Sequence, residues 1–116
     1  MHVTIYHNPR CSKSRQTLQL LQERGIEAEV VRYLDTPPDA ATLERLLQLL
    51  GLDNPRQLMR KKEPEYKALG LDNPELDRQD LIQAMVDHPR LMERPIVVAG
   101  EQARIGRPPE QVLEIL

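Results

Sequence analysis

The first 35 residues constrain this chain most. Val3-Thr4-Ile5-Tyr6 is a short run of β-formers, residues 16–24 carry helical spacing, and residues 29–34, with Val30, Val31 and Tyr33, are again strand-like. Helix one is expected from about Ser12 to Arg24, with Thr17, Leu18 and Leu21 on its inner face and Gly25 as its stop. A strand, a helix and a strand in so short a stretch make a βαβ unit. Its two strands must lie parallel, and its crossover must be right-handed.

The remainder adds helices and then a hairpin. Thr36-Pro37-Pro38-Asp39 predicts a helix start, with Thr36 as cap, Pro37 in the first turn and Asp39 closing an acidic capping box. Leu43, Leu46, Leu47 and Leu50 form the apolar stripe of that helix, which Gly51 ends. Asn54-Pro55 and Pro64 open two short helices, and Asp77 with Asp80 begins a longer one ended before Pro89. Pro95-Ile96-Val97-Val98-Ala99 and Gln102-Ala103-Arg104-Ile105 flank Gly100-Glu101, a hairpin signal. A terminal helix then starts at Pro108 or Pro109, with Val112, Leu113 and Leu116 facing inward. The order predicts an α/β protein with a thioredoxin-like mixed four-stranded sheet (βαβ…ββα). A helical insertion over residues 36–88 separates strands 2 and 3. At 116 residues this is a single domain.

The chemistry concentrates at the first strand-to-helix junction, His7-Asn8-Pro9-Arg10-Cys11-Ser12-Lys13-Ser14-Arg15. A cysteine at a helix N-terminus meets unpaired amide N–H groups and a favourable dipole, which lower a thiol's pKa from about 8.5 toward neutrality. The same N–H groups, with Lys13 and Arg15, favour an oxyanion beside the sulfur. A lone cysteine is more often a buried hydrophobe, but a core cysteine seldom sits between Arg10 and Ser12-Lys13-Ser14. His7, if protonated, would stabilise the thiolate. Ser14 would donate to the sulfur or cap the helix.

Composition excludes several classes. One cysteine rules out an internal disulfide and any multi-cysteine metal site, and His2, His7 and His88 lack zinc-site spacing. A net charge of −2 gives no global case for nucleic acid or a membrane surface. The cluster Arg60-Lys61-Lys62 lacks interleaved aromatics and reads as a solvated helix face. With no signal-peptide core and no long apolar run, the chain is expected to be soluble and cytoplasmic.

The landmarks Tyr6-His7-Asn8-Pro9 before Cys11, Ser14-Arg15 after it, and Tyr33-Leu34-Asp35-Thr36-Pro37-Pro38 occur in a distinctive order. Met59-Arg60-Lys61-Lys62, Arg94-Pro95-Ile96-Val97-Val98 and Arg104-Ile105-Gly106-Arg107-Pro108 follow. In this order they resemble the ArsC-type arsenate reductases, glutaredoxin-like proteins with a long helical insertion. The resemblance spans essentially the whole chain. It implies that Cys11 is the nucleophile, that Arg60, Arg94 and Arg107 bind the oxyanion, and that Pro95 is a cis-proline opposite the thiol. It also implies arsenate or a similar oxyanion as substrate, with no bound cofactor. Glutathione is the implied co-substrate and glutaredoxin the partner that completes the cycle. Guanidinium groups suit a tetrahedral oxyanion because they donate paired, charge-assisted hydrogen bonds. Arg15 is a fourth candidate for the anion.

Two other chemistries fit less well. A phosphatase-type Cys-x5-Arg loop needs arginine at position 17, which is Thr17, and a dithiol Cys-x-x-Cys needs cysteine at position 14, which is Ser14. Without an internal resolving thiol, turnover requires an external one. Three departures from the best-known members line the expected pocket: bulky Arg10, Ser12-Lys13 in place of Gly-Thr, and Gly106 in place of cysteine. The alternatives are a monothiol glutaredoxin-like oxidoreductase acting on mixed disulfides and a non-enzymatic regulator resembling the Spx proteins, which bind RNA polymerase. Spx-type proteins typically carry the Cys-x-x-Cys absent here.

Overall fold

The computed structural model describes residues 2–116. Four strands form one sheet in the order β2-β1-β3-β4: β1 Val3–Tyr6, β2 Glu29–Val31, β3 Ile96–Ala99 and β4 Gln102–Ile105. β1 and β2 are parallel, as the helix α1 (Ser12–Glu23) between them requires, while β1/β3 and β3/β4 are antiparallel. Gly100, with φ of 62°, begins the two-residue turn between β3 and β4; Glu101 keeps a negative φ, which makes the turn type II′.

The chain divides into two compact units. One comprises the chain up to Thr36 together with Arg94–Leu116, the other Pro37–Glu93. In the sheet unit, the register pairs Val3 with Ala99 and Ile5 with Val97, which places four apolar side chains on one face. That face packs with Leu21 of α1 and with Val112 and Ile115 of a terminal 3-10 helix, Pro109–Ile115. The terminal segment corrects the sequence reading. A 3-10 helix has three residues per turn, so its buried line is Pro109, Val112 and Ile115, and Leu116 is exposed. The expected inward positions Leu113 and Leu116 assumed an α-helical period.

The helical unit holds α2 (Ala40–Leu50), α3 (Pro64–Ala68) and α4 (Arg78–Asp87), with 3-10 turns at Pro55–Leu58 and Pro89–Leu91. Leu43, Leu46 and Leu47 of α2 and Leu81, Ile82 and Met85 of α4 supply its buried faces. Arg78 braces α4 to α2 through bidentate contacts with Glu44 at 2.7 and 3.1 Å. The start of α2 is a second correction. Asp39, not Thr36, is the N-cap, accepting from the Thr42 N–H at 2.8 Å. Pro38 explains the shift, because a residue that precedes proline is disfavoured in the helical region and Pro37 therefore cannot open the helix. No helix among the described residues is long and apolar enough to cross a membrane.

Candidate active site

Cys11 is the N-cap of α1, with extended backbone (φ −95°, ψ 124°) that turns the chain from the loop into the helix. The loop is held tightly. Its first residue donates from His7 N to Val31 O at the end of β2 (2.8 Å), and Cys11 N donates to Asn8 O (3.0 Å). Arg15, one turn into α1, donates from Nη1 to Pro9 O at 3.0 Å. The guanidinium of Arg15 thus serves the loop backbone.

Cys11 is partly buried, and its thiol pKa lies below the ordinary value. Burial pushes it up and is the largest single influence. It is outweighed by the Ser14 backbone N–H, the Arg94 side chain, the Lys13 backbone N–H and the charge of Arg107 together. No close side-chain cap bond forms at Cys11, yet both helix N–H groups are directed at the sulfur and favour the thiolate. Arg107 Nη2 lies 3.5 Å from Cys11 Sγ, and its Nε donates to Arg94 O at 2.8 Å. The two arginines come from opposite ends of the hairpin: Arg94 just precedes β3, and Arg107 follows β4. The Arg94–Pro95 and Arg107–Pro108 peptides are both cis.

Ser14 and His7 act differently from the sequence expectation. Ser14 is fully buried within α1, and its hydroxyl accepts from Asn8 N at 3.0 Å while lying 2.6 Å from His7 Nδ1. The hydroxyl keeps a second lone pair and its own proton, so the direction of its contact with Nδ1 is set by the His7 tautomer. His7 is held below the usual histidine value, first by burial and then by the charges of Arg32 and Arg15. A neutral His7 does not stabilise the thiolate by charge. Ser14 serves the sulfur through its backbone N–H rather than its hydroxyl, and the hydroxyl does not cap the helix.

Two residues complete the site: Gly106, expected in the pocket lining, and Thr17, expected on the inner face of helix one, meet there in a contact that the sequence did not predict. Gly106 N donates to Pro95 O (2.9 Å) and Arg107 N to Ile105 O (2.9 Å), a tight three-residue turn that delivers Arg107 to the sulfur. A side chain at Gly106 would meet Thr17 Oγ1 at 2.6 Å and Pro95 Cγ at 2.9 Å. Thr17 is fully buried on α1 and donates to Lys13 O at 2.8 Å. A glycine between a strand and an Arg-Pro pair, and a threonine on an otherwise apolar helix face, were the available signals. Arg60 belongs to the helical unit. Its backbone N–H donates to Leu91 O, and its Nε donates to Glu63 Oε1 at 3.2 Å.

Comparison with known proteins agrees over nearly the full length. The model of the ArsC family matches residues 6–115. The chain is 67% identical to YfgD, an uncharacterized protein of Escherichia coli K12, covering 98% of this chain and 96% of that protein. It is 56% identical to an arsenate reductase of Neisseria meningitidis, covering 98% and 97%. A solved structure of an arsenate reductase from Vibrio cholerae superposes with a TM-score of 0.98 at 57% identity, covering 100% of this chain and 98% of that one. With a thioredoxin-like sheet and a thiol set among arginines at a helix N-terminus, this chain belongs to the ArsC family.

Proposed function

We propose that the protein reduces arsenate to arsenite, with the Cys11 thiolate as nucleophile and with glutathione and glutaredoxin completing the cycle. One observation carries the reading: a thiol whose pKa is lowered, in part, by two guanidinium groups that would also receive the anion. The relatives named arsenate reductase support the same choice of anion. In the first step the thiolate attacks arsenic, an S–As bond forms, and one arsenate oxygen leaves as water after protonation. Arg94 and Arg107 neutralise the anion that the thiolate would otherwise repel, and they hold it for attack. Arg60 enters the reading through the family resemblance alone.

Because Cys11 is the only cysteine, the electrons must come from outside. A glutathione thiolate attacks Cys11 Sγ, and the electron pair of the S–As bond stays on arsenic. As(V) becomes As(III), arsenite leaves, and a Cys11–glutathione disulfide remains. A glutaredoxin thiol then takes the glutathione by exchange and frees Cys11. Two thiols are oxidised for each arsenate reduced.

The test is NADPH oxidation coupled through glutathione and glutaredoxin, with arsenate varied. Saturable turnover is expected, and it should vanish in Cys11→Ser and fall sharply in Arg94→Ala. If folded protein with an alkylatable Cys11 gives no arsenate-dependent rate, the reading fails and mixed disulfides become the substrate to assay.

A further inference from the structure

A cleft of about 220 Å³ opens beside the nucleophile loop, lined by His7, Asn8, Pro9, Arg10, Arg32, Leu34 and Asp35. Its walls are the residues that directly follow β1 and β2, so it lies at the carboxyl ends of the two parallel strands. That is where open α/β sheets place their ligands. Arg10 is one trans peptide, about 3.8 Å between Cα atoms, from Cys11.

The lining is chemically mixed in a specific way. Arg10 uses its backbone N–H on Asn8 Oδ1, and its exposed guanidinium has no partner among the described residues. Arg32 reaches Asp35 through one contact at 3.3 Å, with both side chains more than half exposed. Such a pair contributes about 0–1 kcal/mol, so either member exchanges readily to a better partner. Arg32 lines the cleft together with buried His7, which feels its charge. Pro9 and Leu34 add short apolar surface. The cleft therefore offers two cations for a carboxylate, one carboxylate for an ammonium, and an aliphatic strip.

We propose that this cleft seats the amino-acid end of the reducing thiol, the γ-glutamyl terminus of glutathione: Arg10 and Arg32 on its carboxylate, Asp35 on its ammonium. The inference rests on the thiol-dependent reading above and deepens it. Cleft binding next to Cys11 lets the co-substrate dock without occupying Arg94 or Arg107, which the anion needs. It also gives bulky Arg10 a use.

The experiment uses S-methylglutathione, which has both charged ends but no thiol, titrated into 15N-labelled protein. Saturable amide shifts are expected at Asn8, Arg10 and Arg32–Asp35. Affinity should fall about tenfold in Arg10→Ala or Arg32→Ala, the loss of one charge-assisted pair, and the dimethyl ester should bind as poorly. Shifts that map elsewhere, or affinities unchanged in both variants, overturn the proposal. Because the probe contains neither arsenic nor a thiol, the two readings fail separately. Binding without arsenate turnover removes the proposed function alone, and turnover without cleft binding removes this inference alone.

Discussion

Adding one methyl group at Gly106 should cost both stability and the activated state of Cys11. The Cβ would sit 2.6 Å from Thr17 Oγ1, 2.9 Å from Pro95 Cγ and 3.3 Å from Thr17 Cγ2. The nearest of these falls about 0.8 Å short of ordinary van der Waals separation. Thr17 has little freedom to yield, because both its γ atoms face the glycine and its hydroxyl is bound to Lys13 O. Gly106 does not have a positive φ, so the backbone itself would accept alanine. Two effects therefore compete. Overpacking costs about 1–3 kcal/mol, and the reduced freedom of the unfolded chain returns about 0.4–1 kcal/mol. A net destabilisation of about 1–2 kcal/mol follows.

The chemical consequence is larger than that figure suggests. Thr17 rides on α1, which Cys11 caps, whereas Gly106 leads directly into Arg107. Relief of the clash separates these two elements, and Arg107 Nη2 already lies at 3.5 Å from Sγ. A shift approaching 0.8 Å breaks that contact and lets the thiol pKa rise. Iodoacetamide alkylation of Gly106→Ala, followed against pH, should show its midpoint move upward from wild type, while urea unfolding shows a lower midpoint at unchanged slope. Adding Thr17→Ala removes two of the three contacts. The double variant should recover part of the thiol shift, and its destabilisation should fall short of the sum of the single variants by about 1 kcal/mol. An unshifted alkylation midpoint in Gly106→Ala, or strict additivity in the double variant, would refute the steric coupling.

Wild-type Cys11 should alkylate with a midpoint below that of an ordinary thiol, since its folded pKa is lowered; Arg94→Ala should raise the midpoint, and an unchanged profile would remove Arg94 from thiolate stabilisation. The same lowering means that native protein binds fewer protons at Cys11 than unfolded protein does. Stability from this group is full above the unfolded thiol value and lost as pH falls through the folded one. His7 should titrate by NMR below 6.5, and the protein should lose stability as pH drops from about 6.5, because unfolding releases a histidine that protonates more readily. Ser14→Ala, followed by NMR titration of His7, reads the direction of their contact: a rise in the His7 pKa makes the hydroxyl the donor to Nδ1, and a fall makes Nδ1 the donor. Asp39→Ala should lower the melting temperature at neutral pH, and the difference from wild type should shrink as pH falls through the lowered pKa of the carboxylate that caps α2.

What could be read from sequence was whatever local spacing determines. β1, α1, β2 and the hairpin each announce themselves within a dozen residues, and the parallel crossover follows from chain handedness alone. The thiol's place at a helix start was legible for the same reason. Two boundaries failed where a local rule met a stronger one. Pro37 looked like a helix opener until Pro38 forbade it, and the last helix adopted a three-residue period that its spacing at Pro109, Val112 and Ile115 already contained. The meeting of Arg107 with Cys11 spans 96 positions, and no periodicity encodes such a contact; only the family resemblance suggested it. Hydroxyl chemistry was the least legible of all. A serine three residues after a cysteine can serve the sulfur through either of two protons, and sequence cannot rank them. The structure does, because Asn8 and His7 already engage the hydroxyl and leave the backbone N–H for sulfur. The local activation of Cys11 is therefore a property of the helix backbone and of two distant arginines, and the polar side chains around the loop keep its shape. Substitution of His7 or Ser14 should accordingly act on the geometry of the loop first and on the thiol only through it.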